Sequence, residues 1–202
     1  MKKIERVAIY GGTFNPPHIG HIRSAESLSK AINPDRLLII PDFLPPHKEF
    51  LGKVSWEDRL NMCRLAFSHI KNAEISDIEI KRGGKSYTSY TLEQLTEPNR
   101  ELYFLCGTDM FLTMSSWYRP EVIFKLSTIC FVRRENDEEI YEKIKSARER
   151  YKMDFSAKII EIPTDILEVS STELRDSLVR GENTGLLTDS VFKYIRQRGI
   201  YL

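Results

Sequence analysis

Short apolar runs that alternate with amphipathic segments constrain the fold of this chain more than any other feature. Helical patterns separate most of them, and two more, SSTELRDSLVRG and DSVFKYIRQRG, follow the last run. Six runs have the length and composition of strands: RVAIYGG, RLLIIP, AEISDIEI, ELYFLCG, STICFVRR and AKIIEIP. Continuously apolar strands joined by helices are typical of parallel sheets that are buried on both faces. We therefore predict an α/β fold: a doubly wound, Rossmann-like parallel sheet with helices on both faces and a small C-terminal helical segment.

The charge and composition of the chain limit the classes of ligand and partner that it can be expected to bind. The chain has 202 residues and a formal net charge of +1, so it can build one core but carries no overall field that would attract nucleic acid or a membrane surface. An anionic ligand must therefore be held locally. No apolar run approaches the length of a signal peptide or a membrane span. Cys63, Cys106 and Cys130 lack the spacing of a zinc site, so we expect buried, reduced thiols in a cytoplasmic protein.

The ligand site of such a sheet is expected beyond the carboxyl ends of the strands, at the point where the strand order reverses. The unusual segments of the chain follow predicted strands: GGTFNPPHIGH, PDFLPPHK, CGTDMF, RRE and PTDILEVSST. Three of the four histidines, His18, His21 and His47, lie in two of these loops, whereas His69 ends an amphipathic helix and is expected to be structural.

The loop after the first strand has the composition of an anion site. Gly11 and Gly12 remove side chains where the strand ends, which lets a phosphate or base approach the backbone. Two prolines then precede a helix that begins near His18, and a helix start offers free amides to an anion. His18 and His21 are three residues apart and share one face. Without a third ligand they suit a polyphosphate better than zinc. The loop matches neither GxxxxGK[ST] nor GxGxxG.

The segment GGTFNPPHIGH resembles the signature of the HIGH-superfamily nucleotidyltransferases, and SSTELR resembles their second motif. Ser170 can cap the second helix with Glu173 at the capping-box position, which leaves Ser171, Thr172 and Arg175 to face phosphates.

Within that superfamily the chain resembles the nicotinate-nucleotide adenylyltransferases over essentially its whole length. The matching segments are PPHK, SYT, GTD with Trp117 eight residues on, VRR and VFKYIRQRGIYL. The sequence departs from the pattern where Asn15 replaces a frequent Asp, where Tyr90 replaces an Asp, and where GTD and RRE stand for GAD and RPG.

The resemblance implies adenylyl transfer from ATP to nicotinate mononucleotide, with Mg²⁺ carried by the ATP phosphates and no direct metal ligand, in a single domain over residues 1–202. It implies His18, His21 and Arg175 as catalytic residues. ATP would be bound by Gly11, Gly12, Thr13, Phe14, His18, His21, Gly107, Asp109, Ser170, Ser171, Thr172 and Arg175. Nicotinate mononucleotide would be bound by Asn15, His47, Lys48, Ser86, Tyr87, Thr88, Trp117, Tyr118 and Arg134. On the sequence alone Asp109 fits equally well as a helix N-cap.

Three alternatives remain open at this point. The substrate could be nicotinamide mononucleotide or another phosphomonoester, as in phosphopantetheine adenylyltransferases, although those chains are shorter and lack the PPHK and SYT segments. A class I aminoacyl-tRNA synthetase would need a KMSKS loop and a tRNA-binding domain. A non-catalytic nucleotide-binding regulator would have no physical reason to retain a complete phosphate site.

Overall fold

The computed structural model of the protein describes residues 3–46, 54–133, 137–163, 169–182 and 184–201. Its six strands are β1 Glu5–Gly12, β2 Arg36–Pro41, β3 Ala73–Ile75, β4 Arg100–Gly107, β5 Ser127–Val132 and β6 Ile159–Ile162. Its α-helices are α1 Ile19–Ile32, α2 Trp56–Ala66, α3 Ile78–Arg82, α4 Thr88–Leu95, α5 Thr108–Thr113, α6 Pro120–Leu126, α7 Glu138–Phe155, α8 Ser171–Val179 and α9 Asp189–Arg198. A 3₁₀ turn at Met114–Ser116 follows α5.

All the strand pairs are parallel and the order is β3-β2-β1-β4-β5-β6, which confirms the predicted doubly wound sheet. The order reverses between β1 and β4, where Tyr10 pairs with Leu105. The loops that leave these two strands therefore lie at the predicted ligand position.

Both faces of the sheet are covered, as alternating residues of β1 show. Ala8 and Tyr10 pack on the face covered by α1, α2, α8 and α9, whereas Val7 and Ile9 pack on the face covered by α4 to α7. The three cysteines are buried and free, as expected. Burial raises the pKa of the Cys63 thiol, and raises that of Cys130 to about 12. In the part of the chain that the structure describes, no helix combines the length and apolarity needed to cross a membrane.

The prediction of one strand over AEISDIEI is wrong in its second half. Only Ala73–Ile75 pairs with β2, and Ile78–Arg82 forms the helix α3. The helical turn brings the Glu79 side chain into the interior, where the Thr91 hydroxyl donates a hydrogen bond to its carboxylate at 2.5 Å. Burial raises the pKa of Glu79. This tertiary contact decides a conformation that the Ile–Glu–Ile alternation alone assigned to a strand.

Candidate active site

The loop after β1 and the start of α8 contact each other at the carboxyl end of the sheet. Ser171 Oγ lies 3.3 Å from His18 Nε2, although the two residues are 153 positions apart. Arg175 donates from Nη1 to the Asn15 carbonyl at 3.1 Å and from Nη2 to the Thr172 hydroxyl at 3.0 Å. Ser170 caps α8 by accepting from the Glu173 amide, as its sequence predicts. The two motifs therefore belong to one site.

The two histidines of the first motif form a compact pair. His18 is the N-cap of α1 and only 4% exposed, and its ring centroid lies 3.7 Å from that of His21. The His18 amide donates to His21 Nδ1 at 3.2 Å. An acceptor nitrogen carries no proton, so the hydrogen-bond network assigns the ring proton of His21 to Nε2. In this arrangement His21 can offer a ligand a neutral N–H donor rather than a cation.

The prediction that α1 opens with free amides is wrong for its first two positions. The His18 amide is bonded to His21, and the Ile19 amide donates to the Leu186 carbonyl at 2.9 Å. The bond of the N-cap His18 is local, whereas that of Ile19 is tertiary: the segment between α8 and α9 folds against the start of α1, and the sequence of the loop carries no sign of this. Phosphate binding at this point therefore falls mainly to side chains.

Beneath the first loop, Asp42 and Arg59 form a buried ion pair that holds Thr13. Arg59 is 0% exposed and donates from Nη1 to Asp42 Oδ1 at 3.0 Å and to the Thr13 carbonyl at 2.9 Å. The Thr13 hydroxyl donates to Asp42 Oδ2 at 2.8 Å. Because its hydroxyl and its carbonyl both bond within the protein, Thr13 would bind ATP mainly through its amide.

The Phe14 ring packs in the interior beneath the loop and does not face a ligand. Its φ of 47° is rare for a bulky residue, and its side chain is 1% exposed. The ring lies edge-on to His21, with centroids 5.1 Å apart. A Cβ at Gly12 would lie 3.2 Å from this ring, whereas one at Gly11 would meet nothing closer than 3.9 Å. Gly12 therefore admits the Phe14 ring, whereas a Cβ at Gly11 would make only ordinary van der Waals contacts with Phe104 and Ile40.

The end of β4 contributes Gly107 and Asp109. Gly107 lies two residues beyond Leu105, the partner of Tyr10 in β1, so it stands at the level of the first loop. It is also the N-cap of α5, which excludes Asp109 as the cap. Asp109 lies exposed in the first turn of α5, where its carboxylate remains accessible to a ligand.

A second group of predicted residues gathers where α4 begins and α6 approaches it. The rings of Tyr87 and Tyr118 lie 4.4 Å apart, and Tyr118 is 44% exposed. Trp117 packs against Phe104 at 6.3 Å and is partly buried, and Thr88 is the first residue of α4. Tyr87, Trp117 and Tyr118 supply aromatic rings at this end of the sheet.

Ser86 joins this second group to the first loop. Its hydroxyl accepts from the Phe43 amide at 2.8 Å and hydrogen-bonds to the buried carboxylate of Glu79. Phe43 follows Asp42, which holds Thr13. Both halves of the site are thus fixed by consecutive residues after β2. His47, Lys48 and Arg134, the other residues predicted to bind nicotinate mononucleotide, lie outside the described residues.

Tyr90, where the sequence departs from the family pattern, joins the aromatic group. Its hydroxyl lies 3.1 Å from that of Tyr118, and the guanidinium carbons of Arg82 and Arg119 lie 6.0 and 5.9 Å from its ring centroid. The hydrogen bond with Tyr118 raises the pKa of the Tyr90 phenol. Tyr90 thus forms a phenol pair with Tyr118 at this position.

The sequence analysis missed three residues that contact the first loop. Asp42 lies in PDFLPPHK, a segment that follows a predicted strand, so its position in the sequence indicated that it could belong to the site. Arg59 follows Asp58 in an amphipathic helix and has the sequence context of a surface charge, yet it is buried. Tyr201 donates a hydrogen bond to Asn15 Oδ1 across most of the chain length. No local pattern indicates Arg59, whereas Tyr201 lies in the matching segment VFKYIRQRGIYL but was assigned no role there.

Comparison with known proteins shows the family of the chain. A family model described as cytidylyltransferase-like matches residues 9–177. The fold and the paired motifs thus define a nucleotidyltransferase of the cytidylyltransferase-like family.

Full-length relatives narrow the assignment. A protein named "Probable nicotinate-nucleotide adenylyltransferase" from Desulfatibacillum aliphaticivorans is 35% identical over 98% of this chain and 100% of its own length. One with the same name from Caldicellulosiruptor saccharolyticus is 36% identical over 97% of this chain and 98% of its own. The chain belongs to the nicotinate-nucleotide adenylyltransferase family.

A solved structure supports the fold. The Plasmodium falciparum nicotinic acid mononucleotide adenylyltransferase complexed with NaAD superposes with a TM-score of 0.73 at 20% sequence identity, covering 98% of this chain and 97% of that one.

Proposed function

We propose that this protein transfers the adenylyl group of ATP to nicotinate mononucleotide, forming deamido-NAD and pyrophosphate. The observation that carries the proposal is the contact between the two motifs, in which His18 meets Ser171 and Arg175 meets Asn15 at the switch point of the sheet. Such an arrangement of donors suits a triphosphate.

The reaction needs positioning more than activation. A phosphate monoester has a second pKa near ~6, so the attacking phosphate of the mononucleotide is largely a dianion at neutral pH. Its oxygen forms a bond to the α-phosphorus of ATP while the bond to the pyrophosphate oxygen breaks. A serine nucleophile or a carboxylate base is not required. The protein must hold two anions in line and stabilise the charge that develops.

The site residues divide this task. The Nε2 proton of His21 can donate to an oxygen of the α-phosphate. The guanidinium of Arg175, which Asn15 and Thr172 orient, would neutralise the leaving pyrophosphate. Ser171 would orient His18, whose ring is held between that hydroxyl and His21.

We also propose that Mg²⁺ reaches the site on the ATP phosphates. Among the residues described, no three His, Cys, Asp or Glu side chains gather as a metal site. Asp109, exposed at the end of β4, is the carboxylate that would face the water shell of the ion. The ion would supply charge neutralisation at the phosphates.

The nicotinate end of the substrate would lie against the second group of residues. The ring of Trp117 or Tyr118 can stack on a pyridinium, and the amides near Thr88 and Tyr118 can bond to a carboxylate. A carboxamide would turn its NH₂ toward one of these donors and leave a buried donor unpaired, which costs about 1–3 kcal/mol. We therefore expect the acid to be preferred by roughly 10²-fold or more once the charge-assisted bonds are added.

Pyrophosphate release with ATP and each mononucleotide tests the proposal. We expect turnover with nicotinate mononucleotide and a kcat/KM for it far above that for nicotinamide mononucleotide. Equal values, or a preference for the amide, would contradict the acid-selective pocket. Nucleotide binding without turnover of either substrate would favour the regulator instead.

A further inference from the structure

Tyr201, in the segment after α9, contacts the first loop of the site. Gly199 ends α9 in the left-handed region with a φ of 64°, and the Ile200 amide closes the helix on the Ile195 carbonyl at 3.1 Å. This reversal buries Ile200, which is 8% exposed, and turns Tyr201 toward the sheet. The Tyr201 hydroxyl donates a hydrogen bond to Asn15 Oδ1.

Asn15 is held from a second direction by the catalytic machinery proposed above. Its main-chain carbonyl accepts from Arg175 Nη1, and the other terminal nitrogen of Arg175 bonds to Thr172. One loop residue thus connects Tyr201 to the guanidinium that would face pyrophosphate. A shift of the Asn15 side chain would move the carbonyl that orients Arg175.

We propose that Tyr201 is a positioning residue for adenylyl transfer, which acts through Asn15 to hold the first loop against Arg175. This inference rests on the proposed function, because it assigns a role within that same reaction. Tyr201 itself need not touch either substrate.

The attachment of α9 to the protein does not depend on Tyr201. Tyr194 donates to Asp58 Oδ1 at 2.7 Å and Arg198 donates to the same atom at 3.1 Å, so α2 holds α9 by separate bonds. Val191 and Ile195 of α9 are buried in the core as well. The bond from Tyr201 is therefore directed to the site rather than needed for helix docking.

The protonation state of the Tyr201 phenol suits a hydrogen-bond donor. Burial raises the pKa of Tyr201 well above its ordinary value. The hydroxyl consequently keeps its proton at neutral pH and remains a donor to the amide oxygen.

Tyr201→Phe tests the inference, with Tyr194→Phe as a matched control. Each variant removes one phenol donor from the same C-terminal segment, and each keeps the aromatic ring. We expect both to lower the melting temperature to a similar extent. We expect only Tyr201→Phe to lower kcat/KM, by about tenfold, which corresponds to about 1.4 kcal/mol. Equal kcat/KM losses in the two variants, or none in Tyr201→Phe, would overturn the inference.

A double-mutant cycle with Asn15→Ala tests whether Tyr201 acts through Asn15. If it does, Tyr201→Phe adds no further loss of kcat/KM in the Asn15→Ala background, because the acceptor is already gone. In an Asn15→Asp background, which keeps an acceptor oxygen, the loss returns. Independent, additive losses in the Asn15→Ala background would contradict the inference, as would a Tyr201→Phe protein that is unfolded at the assay temperature.

The wild-type control separates the two proposals. Absence of turnover by wild-type protein with ATP and nicotinate mononucleotide would refute the proposed function. Normal wild-type turnover with an unchanged Tyr201→Phe variant would refute only the role of Tyr201.

Discussion

Replacement of Gly20 by alanine would place a methyl group against the ring of His18. A Cβ at Gly20 would lie 3.1 Å from both Cε1 and Nδ1 of His18 and 3.5 Å from Val169. The His18 ring is 4% exposed and packed against His21, with Ser171 at its Nε2. The ring can therefore relieve the contact only by moving a few tenths of an ångström, which changes its distances to these partners.

Two opposing effects set the change in stability. Alanine is favoured over glycine within a helix by roughly 0.8–1 kcal/mol, although Gly20 lies in the first turn of α1, where the gain is smaller. Overpacking a closely packed position costs about 1–3 kcal/mol. We expect the free energy of unfolding to fall by about 0–2 kcal/mol, so the variant remains folded.

The effect on activity should be larger than this change in stability suggests. A misplacement of ~1 Å can cost about 10²-fold in rate. If the cost grows exponentially with distance, a shift of a few tenths of an ångström predicts a loss in kcat of roughly 3- to 10-fold. The loss would come from the His18 ring, which would no longer keep its distance from Ser171.

Pyrophosphate release and thermal unfolding of the same preparations measure both quantities. Ser24→Ala is a suitable control, because Ser24 donates to the Gly20 carbonyl at 2.9 Å and so lies next to the same helical turn without being placed in the site. We expect it to affect stability but not kcat. Unchanged kcat in Gly20→Ala would refute the argument that the glycine admits the His18 ring.

His21→Ala should lower kcat by roughly 10²–10³-fold, the loss that follows removal of a comparable transition-state donor, and near-normal turnover of folded protein would exclude His21 as that donor. Arg175→Lys should fail to restore kcat/KM, because a single ammonium group cannot reach both Asn15 and Thr172 as the two guanidinium nitrogens do; wild-type kcat/KM would argue against this. Asp58→Asn should destabilise the protein at neutral pH more than in acid. Burial alone would raise the pKa of Asp58, but hydrogen bonds from Tyr194, Ser55 and Arg198 outweigh burial and hold the pKa below its ordinary value. Such a carboxylate contributes stability above its unfolded pKa of about 3.9 and loses it as the pH falls through the lower folded value, so the difference in melting temperature should shrink there; a constant difference would contradict the assignment.

The pattern of the sequence predicted the sheet because burial on both faces leaves a strong local signal. Five of the six apolar runs agree with a strand to within two residues at both ends, and the sixth, AEISDIEI, agrees only at its start. The failures involve short elements whose conformation is decided by distant contacts. The five residues of α3 and the six and seven residues of α5 and α6 are too few to show a helical period.

The site was predictable where its residues lie in motifs and unpredictable where they act from a distance. His18, Ser171 and Arg175 were found because two distinctive segments match one family. Arg59 was missed because it contacts the first loop through the fold alone. Tyr201 lies in a segment that matches the family, but its contact with Asn15 also depends on the fold. The occupied amide of Ile19 was missed for the same reason, since the Leu186 carbonyl reaches it from the far end of the chain.

The buried pair of Asp42 and Arg59 explains how a loop that is proposed to bind phosphates can rest on a carboxylate. An unpaired Asp42 below Thr13 would repel the phosphates of ATP, and at low dielectric that repulsion would be strong. Arg59 neutralises it and at the same time bonds the Thr13 carbonyl, so the carboxylate fixes the loop without opposing the ligand. Removing one partner of a buried pair leaves an uncompensated charge. Arg59 therefore pairs with a protein carboxylate, whereas Arg175, among the described residues, would interact with the phosphates of the ligand. Because the chain has a net charge of only +1, the attraction of phosphate depends on such local cations and not on an overall field.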